Sequence, residues 1–442
     1  MGFTGTLLLA TAAALPALDC PPPPKNPPFK EPPVIEAKCG GQPCKPGQAG
    51  AIDTEFRVET RTMCVPTSAT ASSALTLRTY VYPDPANPKN WIYGFPGPTL
   101  KLRKPSTQGA KGDSLAILLV NNLASDSNEC DSACPATDSQ GKPFICPDRK
   151  DLPDPATQCG TNQYCCCWVN ANQHPPDCFH GDNTTNLHFH GTHVSPQSPQ
   201  DYVLLELHPK GDQGKKLQAM TARSDLEVGS FHYKVNPLTY EQAEGTHWYH
   251  PHKHGSVSLQ VANGMPGALI IRGPFDDWLD KWYADHGTKL TEKLMVAQQI
   301  EQDTNLFGKG GAPQVLINGL LNPTLTVQAG EVQRWRVVNA TMQKANQVTV
   351  TFPAGSEVRQ IEQDGVQFAP ANYDKQPLLK DNKFILSPGN RADFLVRMPL
   401  ATGKARLTEE VFGELSVRAR QQIEVRDRAK KLLTAQAETE AP

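Results

Sequence analysis

Two histidine pairs are the residues of this sequence best equipped for chemistry. NLHFHG, residues 186–191, carries His188 and His190; HWYHPHKHG, residues 247–255, carries His250 and His252. In a β-strand, residues i and i+2 point to one face, so each H-x-H presents two imidazoles side by side. Two such strands brought together surround one small volume with four nitrogen ligands, and neutral imidazole suits copper, zinc, iron and nickel. His254 keeps the parity of His250 and His252 and is expected behind the ligands or on the substrate side. Trp248 shares that parity and should pack beneath the site. His193 and His247 fall on the opposite parity, where hydrogen bonds within their loops are expected. His174, His180, His208, His232 and His286 show no ligand spacing. Asp201 follows His190 by 11 residues and is either a solvated loop carboxylate or an acid beside the metal.

Strands must carry these histidines. EFRVETRTMCV and LTLRTYVY alternate apolar and polar residues as half-buried strands do, and GDSLAILLVNNL and GALIIRG are apolar strands. DYVLLEL and SFHYKV read as further strands between the two histidine motifs. FDDWLDKWYADHG reads as a short amphipathic helix or linker, with Trp278, Leu279 and Trp282 near one face. A second β-rich run starts near Lys293 and ends near Val425. Forty prolines and 33 glycines separate these segments. Many short strands between Gly/Pro turns argue for β-sandwiches or barrels. Residues 19–54 are Pro-rich and expected to be extended, with little core.

The 442 residues suffice for two or three domains, and a net charge of −2 gives no electrostatic reason to expect nucleic acid or an anionic membrane surface. Residues 1–18 read as a signal peptide, with an apolar run over residues 7–15 and an A-x-A at residues 12–14, though no Lys or Arg precedes it. The run is too short to span a bilayer. All 12 cysteines precede position 179, eight of them between Cys130 and Cys178. Such density without strand periodicity reads as a disulfide-stapled insertion formed in an oxidising compartment, and the spacings do not repeat as the C-x2-C pairs of zinc sites. A secreted or periplasmic location is expected.

YGFPGPTLKL, GDSLAILLVNNL, NLHFHG, GTHWYHPHKHG and MPGALIIRG, in that order, resemble the first cupredoxin domain of multicopper oxidases. VLINGLLNPTLTVQAGEVQRWRVVNA, the Asp364-Gly365 step and LSPGNRADFLV resemble their second. The resemblance covers about residues 55–425. It implies an all-β fold of two cupredoxin-like Greek-key β-sandwich domains. The first spans residues 55–274 with the Cys-rich insertion at about 125–182, and the second spans 293–425. A linker at 275–292 joins them and a polar tail at 426–442 follows. The resemblance further implies copper as cofactor, His188 as a type 2 ligand, and His190, His250 and His252 as type 3 ligands. Asp201 would orient the water or hydroxide and serve as a proton relay during O2 reduction.

Active members of that family carry a third cupredoxin domain with H-x-x-H-x-H and H-C-H-x-x-x-H, which supplies the remaining cluster histidines and the type 1 copper ligands. Here no histidine follows His286 and no cysteine follows Cys178. The expectation is a laccase-like oxidoreductase, coupling one-electron oxidation of a small-molecule reductant to O2 reduction. It is incomplete as a lone chain, either truncated or in need of a partner chain that brings the third domain. The competing expectation is a non-enzymatic secreted copper-binding or cupredoxin-scaffold protein.

Overall fold

The computed structural model describes residues 18–45, 47–125, 181–212, 225–302, 314–342, 347–369, 371–372, 383–399, 406–409 and 416–420. The expected signal peptide (apart from Leu18), the Cys-rich insertion over residues 126–180 and the polar tail lie outside the described residues.

The first β unit holds two sheets. One contains β1 (Val34–Glu36), β5 (Thr99–Arg103), β7 (His188–His190), β9 (Gly245–His250) and β10 (Gly267–Arg272), in the order β1-β5-β10-β9-β7. The other is built on β2 (Ala51–Ser68), an 18-residue strand. β2 pairs in parallel with β6 (Ser114–Asn121) along its first half and antiparallel with β3 (Ala71–Asp84) along its second. β4 (Asn87–Tyr93) and β8 (Ser230–Val235) flank these strands. Inward residues of both sheets interdigitate in one core that includes Phe56, Tyr80, Leu100, Ile117, Phe189, Tyr233 and Tyr249. The alternation read from GDSLAILLVNNL is the burial pattern of β6, in which every second residue is buried.

Two short helices follow, α1 (Val257–Ala262) and α2 (Pro274–Asp285). The expected helix over FDDWLDKWYADHG is α2. Its buried stripe is Phe275, Leu279 and Tyr283, with Trp278 and Trp282 on the shoulders. DYVLLEL is not one strand: residues 201–205 are turn and only Glu206–His208 is extended.

The second β unit centres on a sheet of β11 (Thr291–Gln299), β12 (Val315–Ile317), β13 (Val332–Asn339), β14 (Glu357–Gln363) and β15 (Arg391–Arg397), in the order β12-β11-β13-β15-β14 before a short edge strand. Its core includes Trp335, Phe352, Phe384 and Phe394. The all-β expectation therefore holds. A third apolar cluster joins the units: Trp248, Ala268 and Ile270 pack against Leu294, Val296, Val338 and Ala340.

The Pro-rich segment does more than the expected extended arm. Phe29 N–H donates to the Thr324 carbonyl (2.9 Å), Thr324 N–H donates to the Pro27 carbonyl (2.7 Å), and the Phe29 ring packs on the second core. A few residues on, β1 joins β5 in the first unit. Cys20–Cys64 and Cys39–Cys44 are disulfides, so the segment is tied covalently to β2 and laid across both units.

Candidate metal centre

β7 and β9 pair antiparallel with His188 opposite His250, Phe189 opposite Tyr249 and His190 opposite Trp248. Because side chains alternate across a strand, Phe189 and Tyr249 enter the first core while His188, His190, Trp248 and His250 share the other face. One ring nitrogen from each of His188, His190 and His250 lies within 4.8 Å of the others. His190 Nδ1 is 3.2 Å from His250 Nε2. Trp248 stacks on His250 with ring centroids 4.2 Å apart, so the expected packing beneath the site is present.

The second motif departs from the expected geometry. β9 ends at His250, because Pro251 has no N–H to continue the ladder. His252 and His254 therefore lie past the strand, and their shared parity with His250 is not what places them. His252 is held by Asn186, whose Oδ1 accepts from the His252 N–H (2.6 Å) while its Nδ2 donates to the carbonyls of Val203 (2.9 Å) and Leu205 (3.0 Å). This brings the His252 ring to 5.0 Å from that of His188 and 5.7 Å from that of His250. His252 Nδ1 is buried and, among the described residues, has no hydrogen-bond partner. His254 is exposed, its ring 5.4 Å from that of His252. Asn186 heads the NLHFHG motif, but no spacing argument gives an asparagine this role.

Asp201 is buried rather than solvated. Its carboxylate accepts from His188 Nδ1 (2.9 and 3.0 Å to the two oxygens) and from the Phe189 N–H (2.9 Å). That bond fixes the proton on His188 Nδ1 and leaves Nε2 as the lone-pair atom. His250 Nδ1 donates to the Pro251 carbonyl (2.8 Å), which likewise leaves its Nε2 as the lone pair. Burial lowers the His190 pKa from 6.5 to about 4, with the Arg391 guanidinium adding to the effect. Burial lowers that of His250 to about 3, and His252 shifts in the same direction through burial and the neighbouring His188. The rings of His190, His250 and His252 are therefore favoured in the neutral form, the protonation state in which imidazole donates to a metal. Clustered lone pairs on neutral rings and an orphaned buried nitrogen form a donor set that copper fits.

His193 and His247 form the expected hydrogen bonds, His193 Nδ1 with the Glu241 carbonyl (3.1 Å) and His247 Nε2 with the Ala243 carbonyl (3.2 Å). His208 sits beside Thr184 (3.2 Å) and His286 stacks on Trp282 (4.1 Å), away from the cluster; His174 and His180 lie outside the described residues.

A sequence profile of the multicopper oxidase family matches residues 180–275, the stretch that holds every histidine of this cluster. Multicopper oxidase mco of Staphylococcus epidermidis is 24% identical over 229 residues, which are 50% of this chain and 43% of that protein. The stretch that carries the histidine cluster is similar to multicopper oxidases. Among other relatives, iron transport multicopper oxidase fetC of Epichloe festucae is 27% identical over 206 residues, 44% of this chain and 28% of that one. Laccase-2 of Podospora anserina is 28% identical over 173 residues, 36% and 24% of the two chains. The chain spans less than half the length of these curated relatives. A crystal structure of a multicopper oxidase from Pseudomonas thermotolerans covers 85% of this chain and 65% of its own at 19% identity, with a TM-score of 0.49.

Proposed function

We propose that this chain binds copper through His188, His190 and His250, with His252 as a fourth donor, and forms one wall of a laccase-like oxidoreductase centre. The observation that carries the reading is the convergence of three imidazoles from two paired strands, each with a nitrogen within 4.8 Å of the others. Bound copper would supply one-electron redox chemistry: electrons withdrawn singly from a small reductant, and O2 reduced to water with four electrons and four protons.

The chain's own residues orient and insulate that chemistry. Asp201 holds the His188 ring by its Nδ1 proton and, as a buried carboxylate beside the cluster, is suited to pass protons toward it. Trp248 covers one face of His250. A complete oxygen-reducing centre needs further imidazoles and, for electron entry, a thiolate ligand from outside these 442 residues, in the same polypeptide or in a partner chain. The two disulfides support a location outside the cytoplasm, where such bonds persist.

Electron paramagnetic resonance of the copper-loaded chain tests this reading, read beside O2 uptake with a phenolic reductant. Nitrogen hyperfine structure from several imidazoles, without blue colour and without O2 uptake, is expected. Copper lacking nitrogen ligation would overturn the site. A blue, O2-consuming chain would overturn the need for outside ligands.

A further inference from the structure

We propose that Arg391, on the second β unit, is a positioning residue for the copper site: its guanidinium sets the placement of the two H-x-H strands relative to one another. The inference rests on the copper reading above and concerns a residue that offers no ligand atom.

The guanidinium is fixed within its own unit. Nη1 donates to the Gly389 carbonyl (3.0 Å) and Nη2 to the Asp364 carbonyl (2.8 Å). Nε reaches the Thr246 carbonyl in β9 (3.2 Å), four residues before His250. The same group lies against Gly191, the residue after His190 at the exit of β7. Gly191 has φ +86°, and a Cβ there would run into Arg391 Nη2. One side chain therefore touches the entry of the strand that carries His250 and the exit of the strand that carries His190.

The surroundings strengthen the grip on β9. Thr246 N–H donates to Glu362 Oε1 (2.5 Å), its hydroxyl donates to Asp393 Oδ1 (2.6 Å), and that hydroxyl accepts from Arg336 Nη1 (3.0 Å). Every polar atom of Thr246 is thus bound by a polar side chain of the second unit. The bonds of its hydroxyl and carbonyl to Asp393, Arg336 and Arg391 are buried and involve ionic side chains, and such bonds hold geometry more tightly than neutral ones. His247, the next residue, lies against Gly365 of the second unit, where φ is +82° and a Cβ would meet the imidazole. Apolar packing joins the units, but it is non-directional and fixes no register. The guanidinium supplies direction, with three of its N–H groups aimed at named carbonyls.

A lysine at 391 keeps the charge but places one ammonium where three directed donors stood. Arg397 is the matched control, a buried arginine on the same strand that pairs with Glu357 at the far end. The test titrates the full chain with Cu(II) against a competing chelator and records the paramagnetic spectrum of wild type, Arg391→Lys, Arg391→Gln and Arg397→Lys. Expected is a Cu(II) affinity lowered by about tenfold, with altered copper hyperfine splitting, in the Arg391 variants. Arg397→Lys keeps wild-type affinity and spectrum. Folded Arg391 variants with wild-type affinity and spectrum would overturn the inference while leaving the copper reading intact. Unfolding of both Arg391 variants would assign the residue to stability and overturn it as well. A wild-type chain without Cu(II) binding would overturn the copper reading itself, and the inference with it.

Discussion

His188 Nδ1 and the Asp201 carboxylate are 2.9 Å apart, and the same carboxylate accepts the backbone N–H of Phe189 between the two strand histidines. Asp201 thereby fixes both the ring and the backbone of the first H-x-H. Asp201→Ala would leave the half-buried His188 Nδ1–H and the buried Phe189 N–H without an acceptor. It should cost about 1–3 kcal/mol of stability and weaken Cu(II) binding by about 10- to 100-fold. Asp201→Asn, which can still accept one of these bonds, should lose less of both. Thermal unfolding and chelator competition on the two variants check this; equal effects of Ala and Asn would contradict it.

Glu244 gives the fold a pH dependence near neutrality. Burial, with the neighbouring Asp276 charge, raises its pKa from 4.5 to about 7, while one oxygen accepts the Phe275 N–H (3.1 Å) at the start of α2. The folded chain holds this proton more tightly than the unfolded chain. Its stabilising contribution is therefore fully present below about pH 4.5 and is lost as pH rises through about 7. Glu244→Gln should raise the unfolding temperature at pH 8, leave it nearly unchanged at pH 5, and flatten the profile between them. A wild-type and variant pair with parallel profiles would contradict this.

The Cys20–Cys64 bond closes a loop of sequence separation 44 and anchors the Pro-rich segment to β2. Loop-closure entropy for such a span is about 4 kcal/mol. Cys64→Ser, or mild reduction, should lower the unfolding temperature by several degrees and make residues 20–33 sensitive to protease, because their main hold on the first unit is then lost. Digestion mapped by mass spectrometry checks this; an unchanged cleavage pattern would contradict it.

The sequence made the first H-x-H legible, since β7 alternates as expected and Phe189 is buried where alternation puts it. The second was half legible. HWYHPHKHG carries its own stop signal in Pro251, and the proline, rather than the parity of the histidines, determines that His250 is on the strand and His252 beyond it. What holds His252 is Asn186, 66 residues earlier, and what holds Thr246 is Arg391, 145 residues later. Neither pairing leaves a periodic trace in the chain, because long-range hydrogen bonds follow from how strands are arranged and not from local spacing. The Pro-rich segment shows the same limit. Composition marks it as extended but gives no indication of the two sheets that its few strand residues join.

In the proposed site, His188, His190 and His250 act as one copper-binding set. The direct test is Cu(II) affinity, by competition with a chelator of known strength, for wild type and for His188→Ala, His190→Ala and His250→Ala singly. Tight binding by wild type and a large, similar loss in each variant are expected, whereas His286→Ala binds as wild type does. Wild-type affinity in the three cluster variants would contradict it.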